Sequence, residues 1–207
     1  TAFKERESAM IKITLPNGAV KEFDAPSVTP RQIAEAIGPR LAKDALGALV
    51  DSTLTDLSAP IARDAAVALV TPKPDDPNAL YLTRHSAAHI MAEAITRLFP
   101  QTKLAYGPPV ENGFYYDMEL DHKLTTDEFA NIDEEMKKII AEDRPFTRYE
   151  LPSGEAIEKL AREGNPYKSD NAERALAADP HAVLSFYATG QPGKHWEDLC
   201  RGPHVPS

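Results

Sequence analysis

The stretch "PKPDDPNA" at residues 72–79 puts three prolines and two aspartates into eight positions and offers nothing large and apolar to bury. Such a segment reads as a stiff linker, because proline interrupts both helices and central strands. It divides the 207 residues into a small unit, 11–71, and a larger one, 80–207, each long enough for a hydrophobic core of its own. Residues 1–10, "TAFKERESAM", form an N-terminal extension that is charged where a signal peptide would be apolar.

In the small unit, "IKITLPNGAVKEF" (11–23) alternates apolar and polar residues around Asn17-Gly18, which predicts a β-hairpin. A helix follows in "RQIAEAIGPRL", with Pro30 suited to its first turn, Ile33, Ala36 and Ile37 at helical spacing, and Gly38-Pro39 as its stop. The apolar runs at 45–51 and 65–71 predict strands. Hairpin, helix and strands in about sixty residues suggest an α+β domain of the ubiquitin-like, β-grasp type.

The larger unit is expected to be α+β as well. A helix is predicted from Leu80 to Phe99-Pro100, then strands in "KLAYGPPV" and "FYYDMEL" on either side of "ENG" (111–113). Thr126 is placed as the cap of a long charged helix, 127–143. A strand near "FTRYEL" precedes a second helix, 154–164, capped by Ser153 and ended by Gly164 and Pro166. "AVLSFYATG" (182–190) is strand-like, and 195–207 reads as irregular.

The chemistry lies in two spacings. His85 and His89 are four apart on the first helix of the larger unit, so both imidazoles share one helix face. Cys200 and His204, in "LCRGPH", repeat the spacing more than a hundred residues later. Three imidazoles and one thiol in paired spacing are a tetrahedral zinc ligand set; packed, hydrogen-bonded histidines are the plainer alternative. Ser86 stands where HExxH would place a glutamate, which argues against a zinc protease. His122, His181 and His195 carry no such pattern and are expected to be solvent-exposed or structural.

Charge bounds the partners. The net charge is −9, and residues 76–207 hold 14 Lys and Arg against 22 Asp and Glu. An acidic chain of this kind needs local basic groups or another domain to hold a polynucleotide. No apolar run approaches the ~20 residues of a membrane span. The single cysteine permits no internal disulfide, which fits a cytoplasmic location.

With "RHSAAHIMAEA", "GPPVENGFYYDMEL", "NPYK" and "DLCRGPHVP" in this order, residues 80–207 resemble the N-terminal editing domain of bacterial threonyl-tRNA synthetases, and residues 11–71 resemble their TGS domain. The paired HxxxH and CxxxH spacing is shared with alanyl-tRNA synthetase editing domains, but "GFYYD" and the leading TGS unit favour the threonyl family. Ala87 stands where that family often has Cys or Thr, off the line joining the two histidines. No class II synthetase motif occurs in these residues, so aminoacylation, with its ATP and Mg²⁺, is expected to belong to a catalytic domain outside this chain.

The resemblance implies hydrolysis of Ser-tRNA(Thr) by water attack on the aminoacyl ester. It implies His85, Cys200 and Lys168 as catalytic residues, and His89, His204, Asp198 and Tyr116 as substrate-binding walls. It also implies a pocket that works without a bound metal, whereas spacing alone favours zinc on His85, His89, Cys200 and His204. The partners implied are the serine-carrying acceptor end of tRNA(Thr) and the remaining synthetase domains. A zinc-stapled, non-catalytic module that binds tRNA or protein is the alternative.

Overall fold

A computed structural model of the chain describes residues 10–207. Of the N-terminal extension, residues 1–9 lie outside this range. The chain forms two compact units, one reaching Leu82 and including Pro203–Pro206, the other comprising Thr83–Gly202 and Ser207.

In the first unit, strands β1 (Met10–Thr14) and β2 (Val20–Asp24) form the expected hairpin, with Ile13 opposite Lys21. Its loop is Pro16-Asn17-Gly18. The Gly18 N–H donates to Leu15 O at 2.9 Å and Gly18 takes φ 81°, so the glycine closes a turn begun at proline instead of sharing a two-residue turn with Asn17. Helix α1 (Pro30–Ile37) is capped by Thr29, with Gln32 completing a capping box. Pro39 starts a second short helix, α2 (Pro39–Asp44), where the sequence suggested only a stop.

Strands β3 (Gly47–Val50), β4 (Thr53–Thr55) and β5 (Ala65–Val70) complete a five-stranded sheet in the order β2-β1-β5-β3-β4. β1 and β5 are parallel and the remaining neighbours antiparallel. This mixed sheet with its helix is a β-grasp fold. Ile11, Ile13, Ile33, Ala48 and Val67 fill its core.

Helix α3 (Pro77–Leu98) begins inside the stretch read as a linker. Asp76 explains the early start: its Oδ1 accepts from the N–H groups of Asn78 and Ala79 at 2.9 and 3.2 Å, and Pro77 sits where a helix lacks an intrahelical donor anyway. The division between the units falls within α3, after Leu82, instead of at residue 80.

The second unit is α+β. Strand β6 (Lys103–Tyr106) pairs with β9 (Asp117–Glu119), and β7 (Pro109–Val110) with β8 (Gly113–Phe114). Helix α4 (Thr126–Ala141) is capped by Thr125, one residue before the expected Thr126, because Glu128 at its third position reaches back to the Thr125 N–H at 2.7 Å. Ala94 and Ile95 of α3 pack against Ile132 and Ile139 of α4.

A three-stranded antiparallel sheet joins β10 (Phe146–Leu151), β11 (Leu184–Thr189) and β12 (Glu197–Leu199). β12 lies in the segment read as irregular. Helix α5 (Ser153–Glu163) starts at Ser153, whose hydroxyl bonds Ala182 O instead of capping. Pro166 does more than end α5: with Asn165 as cap it opens α6 (Pro166–Ala178). Ala156 and Leu160 of α5 and Ala172 of α6 pack on Leu184 and Phe186 of β11.

Candidate active site

The small residues Ala88 and Ala92 let α3 approach its neighbours closely, and the two histidines share that buried stretch of helix. The rings of His85 and His89 meet edge to face, with centroids 5.2 Å apart. Cys200 follows β12 directly, and its Sγ lies 3.4 Å from His85 Nε2. Ser185 of β11 fixes the cysteine backbone from both sides: Cys200 N–H donates to Ser185 O at 3.0 Å, and Ser185 Oγ donates to Cys200 O at 2.6 Å. The Gly202 N–H donates to Sγ at 3.2 Å. Gly202 takes φ 72°, and a Cβ there would fall 1.9 Å from the Tyr187 hydroxyl, so only glycine fits.

His89 is almost wholly buried, with Trp196 at 5.4 Å and Phe146 at 6.4 Å between ring centroids. Burial, foremost, pushes its pKa down to about 3; the Asp198 charge opposes this, while His85 and Lys168 add to it. His89 is therefore a neutral imidazole at physiological pH. The same charges show that a second polar cluster stands close by.

That cluster is Lys168, Asp198 and Tyr116. Lys168 Nζ lies 2.7 Å from Asp198 Oδ1 and donates to Oδ2 at 2.9 Å and to the Tyr116 hydroxyl at 3.0 Å. The Tyr116 hydroxyl in turn donates to Asp198. Burial first, then the Asp198 charge, push the Tyr116 phenol far above its ordinary pKa, so it remains a donor. Lys168 is no surface lysine: it is 6% exposed, as a residue of α6, which Asn165 and Asn171 tie to β6 through the carbonyls of Leu104 and Ala105. Gly107 makes room for Tyr116, since a Cβ there would stand 2.2 Å from its ring.

Six of the seven residues singled out by sequence thus meet within the second unit. His204 belongs to the segment Pro203–Pro206 of the first unit, where it is buried and its N–H donates to Asp56 at 2.9 Å. Of the other histidines, His122 pairs with Glu128 at 2.7 Å, His195 Nδ1 accepts from the Gln191 N–H, and His181 is exposed. Trp196 and Ser185 went unnoticed in the sequence, as did the buried acid Glu93. The signal for Glu93 was its spacing, four residues beyond His89.

The donor atoms of His85, His89 and Cys200 lie within 4.8 Å of one another. Two imidazoles and a thiol at such distances suit zinc as a donor set. They equally suit a thiol and an imidazole gripping a water molecule beside a positive charge. Among the described residues no helix is long and apolar enough to cross a membrane.

Comparison with known proteins fits this geometry. Residues 11–71 match the TGS domain family. Over 198 residues the chain is 44% identical to the threonine–tRNA ligase of Rhodospirillum rubrum, a match that covers 96% of this chain and 29% of that protein. The threonine–tRNA ligase of Novosphingobium aromaticivorans is 44% identical over 97% of this chain, and that of Halalkalibacterium halodurans 43% over 96%. The chain spans under a third of the length of these curated relatives. Residues 11–71 are a TGS domain, and over nearly its whole length the chain is similar to the threonine–tRNA ligases, as a piece of their N-terminal region would be.

Proposed function

We propose that residues 80–207 hydrolyse Ser-tRNA(Thr), removing serine that a threonine–tRNA ligase has attached in error. The need follows from magnitudes. A missing methyl group changes binding by only ~1–3 kcal/mol, so a threonine site rejects serine poorly, and a second pocket that excludes threonine by its methyl supplies the rest. The similarity to threonine–tRNA ligases supports the substrate class.

The carrying observation is the His85–Cys200 contact at 3.4 Å beside the buried Lys168–Asp198–Tyr116 cluster. In this reading His85 holds the attacking water and accepts its proton, while Cys200 lies at the scissile ester and keeps the imidazole in place. Direct water attack ranks above a covalent thioester, for which Cys200 would have to be the nucleophile. Lys168 stabilises developing negative charge or orients the ribose. Asp198 takes the substrate ammonium or hydroxyl, Tyr116 and the neutral His89 form walls, and His204 enters by its spacing from Cys200. Water attack needs no metal or other cofactor.

The partner is the acceptor end of tRNA(Thr), presented by further synthetase domains that carry the ligase activity with its ATP and Mg²⁺, and the compartment is the cytoplasm. A chain of net charge −9 is expected to bind tRNA weakly alone. The purified chain should therefore deacylate Ser-tRNA(Thr) slowly yet much faster than Thr-tRNA(Thr). Equal rates on the two, above spontaneous hydrolysis, overturn the reading.

The donor atoms within 4.8 Å favour one second reading, a zinc-stapled binding module without catalysis. Structural zinc contributes folding energy outright, so stoichiometric zinc whose chelation unfolds the domain decides for it.

A further inference from the structure

Glu93 is a buried acid that the proposed chemistry leaves unused. It follows His89 by four residues as His89 follows His85, so the three side chains stand in file along one face of α3. Its side chain is 2% exposed. Oε1 lies 2.6 Å from Arg144 Nη2 and 2.7 Å from Arg97 Nη2, and Oε2 accepts from the Thr189 hydroxyl. A carboxylate at this depth persists only when paired and hydrogen-bonded, and two guanidinium groups and a hydroxyl meet that need.

What Glu93 grips is the three-stranded sheet. Arg144 stands two residues before β10 and also donates to the Thr189 carbonyl. Thr189 ends β11 opposite Phe146, and its N–H donates to Trp196 O at 2.9 Å. Phe146 and Trp196 are the rings that flank His89. Trp196 leads directly into β12, which delivers Asp198 and then Cys200. Both walls of His89 and the strand carrying Asp198 thus lie one or two contacts from one carboxylate.

The stretch of α3 between the histidines and Glu93 meets its neighbours through Ala88 and Ala92 as well as the larger Met91, and Glu93 adds directional ionic bonds to that apolar packing. A slide of one residue's rise, ~1.5 Å, would break the contact between His85 and Cys200. Misplacement on the order of 1 Å costs a catalytic site about 10²-fold. Short, directional ionic hydrogen bonds resist such a slide more steeply than apolar contact does.

We propose that Glu93, Arg144 and Thr189 are positioning residues that set α3 against the β10–β11–β12 sheet and so hold His85 and His89 opposite Cys200 and Asp198. Their effect on rate rests on the deacylase reading above; their effect on the geometry of the histidines does not.

Thr189→Val tests this in the 207-residue chain, since it removes the hydroxyl at nearly constant volume and leaves the two ion pairs intact. Three readouts apply: the ¹⁵N imidazole spectrum of the folded chain, kcat and KM on Ser-tRNA(Thr), and melting temperature. The imidazole resonances of His85 and His89 should shift, kcat should fall about tenfold with KM changed by less than about twofold, and Thr189→Ser should restore both. Leu160→Val, in the core under α5, should lower the melting temperature with the imidazole spectrum unmoved. If Thr189→Val lowers the melting temperature while leaving spectrum and kcat unchanged, the cluster only stabilises the fold and the proposal is overturned. If the parent chain proves inactive on Ser-tRNA(Thr), the deacylase reading fails and the imidazole spectrum alone decides for or against the positioning role.

Discussion

The Lys168 ammonium lies 2.7 Å from Asp198 Oδ1, and both side chains are shut away from solvent. Removing one partner of such a pair strands the other charge. Asp198→Ala should therefore cost about 3–5 kcal/mol in urea denaturation, while Lys168→Met combined with Asp198→Leu should recover most of that loss. Deacylation should be lost in both proteins. A cost below about 1 kcal/mol for Asp198→Ala would mean that the pair is solvated in the folded chain.

His85→Ala and Cys200→Ala should each lower the deacylation rate by ~10²-fold or more, the usual scale of general acid–base help. Since the two groups meet at 3.4 Å and, in the proposed reading, work as one unit, the double variant should lose little further. Melting temperatures should change little. Multiplicative losses would assign the two residues to separate steps, and full activity in Cys200→Ser would remove the thiol from the mechanism.

Protonation of His89 gives the fold a pH dependence whose sign is fixed by burial. The unfolded chain takes up this proton near pH 6.5, whereas the folded chain, with the imidazole held down at about 3, does not. Between those values the unfolded state binds more protons, so stability falls as pH drops. From pH 7 to pH 5 this one group should remove about 2 kcal/mol. His89→Asn should lose correspondingly less stability over the same interval. Identical losses in the two proteins would place a proton on the folded histidine.

Gly107→Ala should damage the site through Tyr116. The added methyl would stand 2.2 Å from a ring whose hydroxyl is tethered to Asp198 and Lys168, so overpacking of about 1–3 kcal/mol is expected together with slower deacylation. Gly164→Ala is the contrasting case. Gly164 takes φ 68° with nothing within 4 Å of its would-be Cβ, so backbone strain of about 1 kcal/mol should leave the rate untouched. Equal rate losses in the two variants would show that instability alone slows the reaction.

Features with a local period were legible before the fold was known. The hairpin at Asn17-Gly18, the capped α1 and the four-residue spacing of His85 and His89 each follow from neighbours along the chain. Proline was the recurrent source of error. Pro39, Pro77 and Pro166 were read as stops or linker, yet each opens a helix, because the residue that lacks an N–H costs least in a first turn. The three-residue β12 was too short to display alternation. The burial of Lys168 was not legible in the sequence, because its partner Asp198 lies thirty residues away on another element. The same holds for Glu93, whose partners Arg144 and Thr189 are distant in sequence.

Strand β12 encodes the site as a parity. Asp198 lies opposite Tyr187 and joins Lys168 and Tyr116, while its neighbours take other company: Glu197 pairs with Lys159, and Leu199 packs with the apolar cluster of α5 and α6. A slip of one residue along β11 would bring leucine to the ammonium and bury aspartate among hydrocarbon. Three residues of ladder are a weak ratchet against that slip. The two bonds between Ser185 and Cys200 extend the ladder past its last regular pair and make the even and odd alignments unequal in energy. The choice between a charged and an apolar site thus leans on that serine as well as on the side chains of β12.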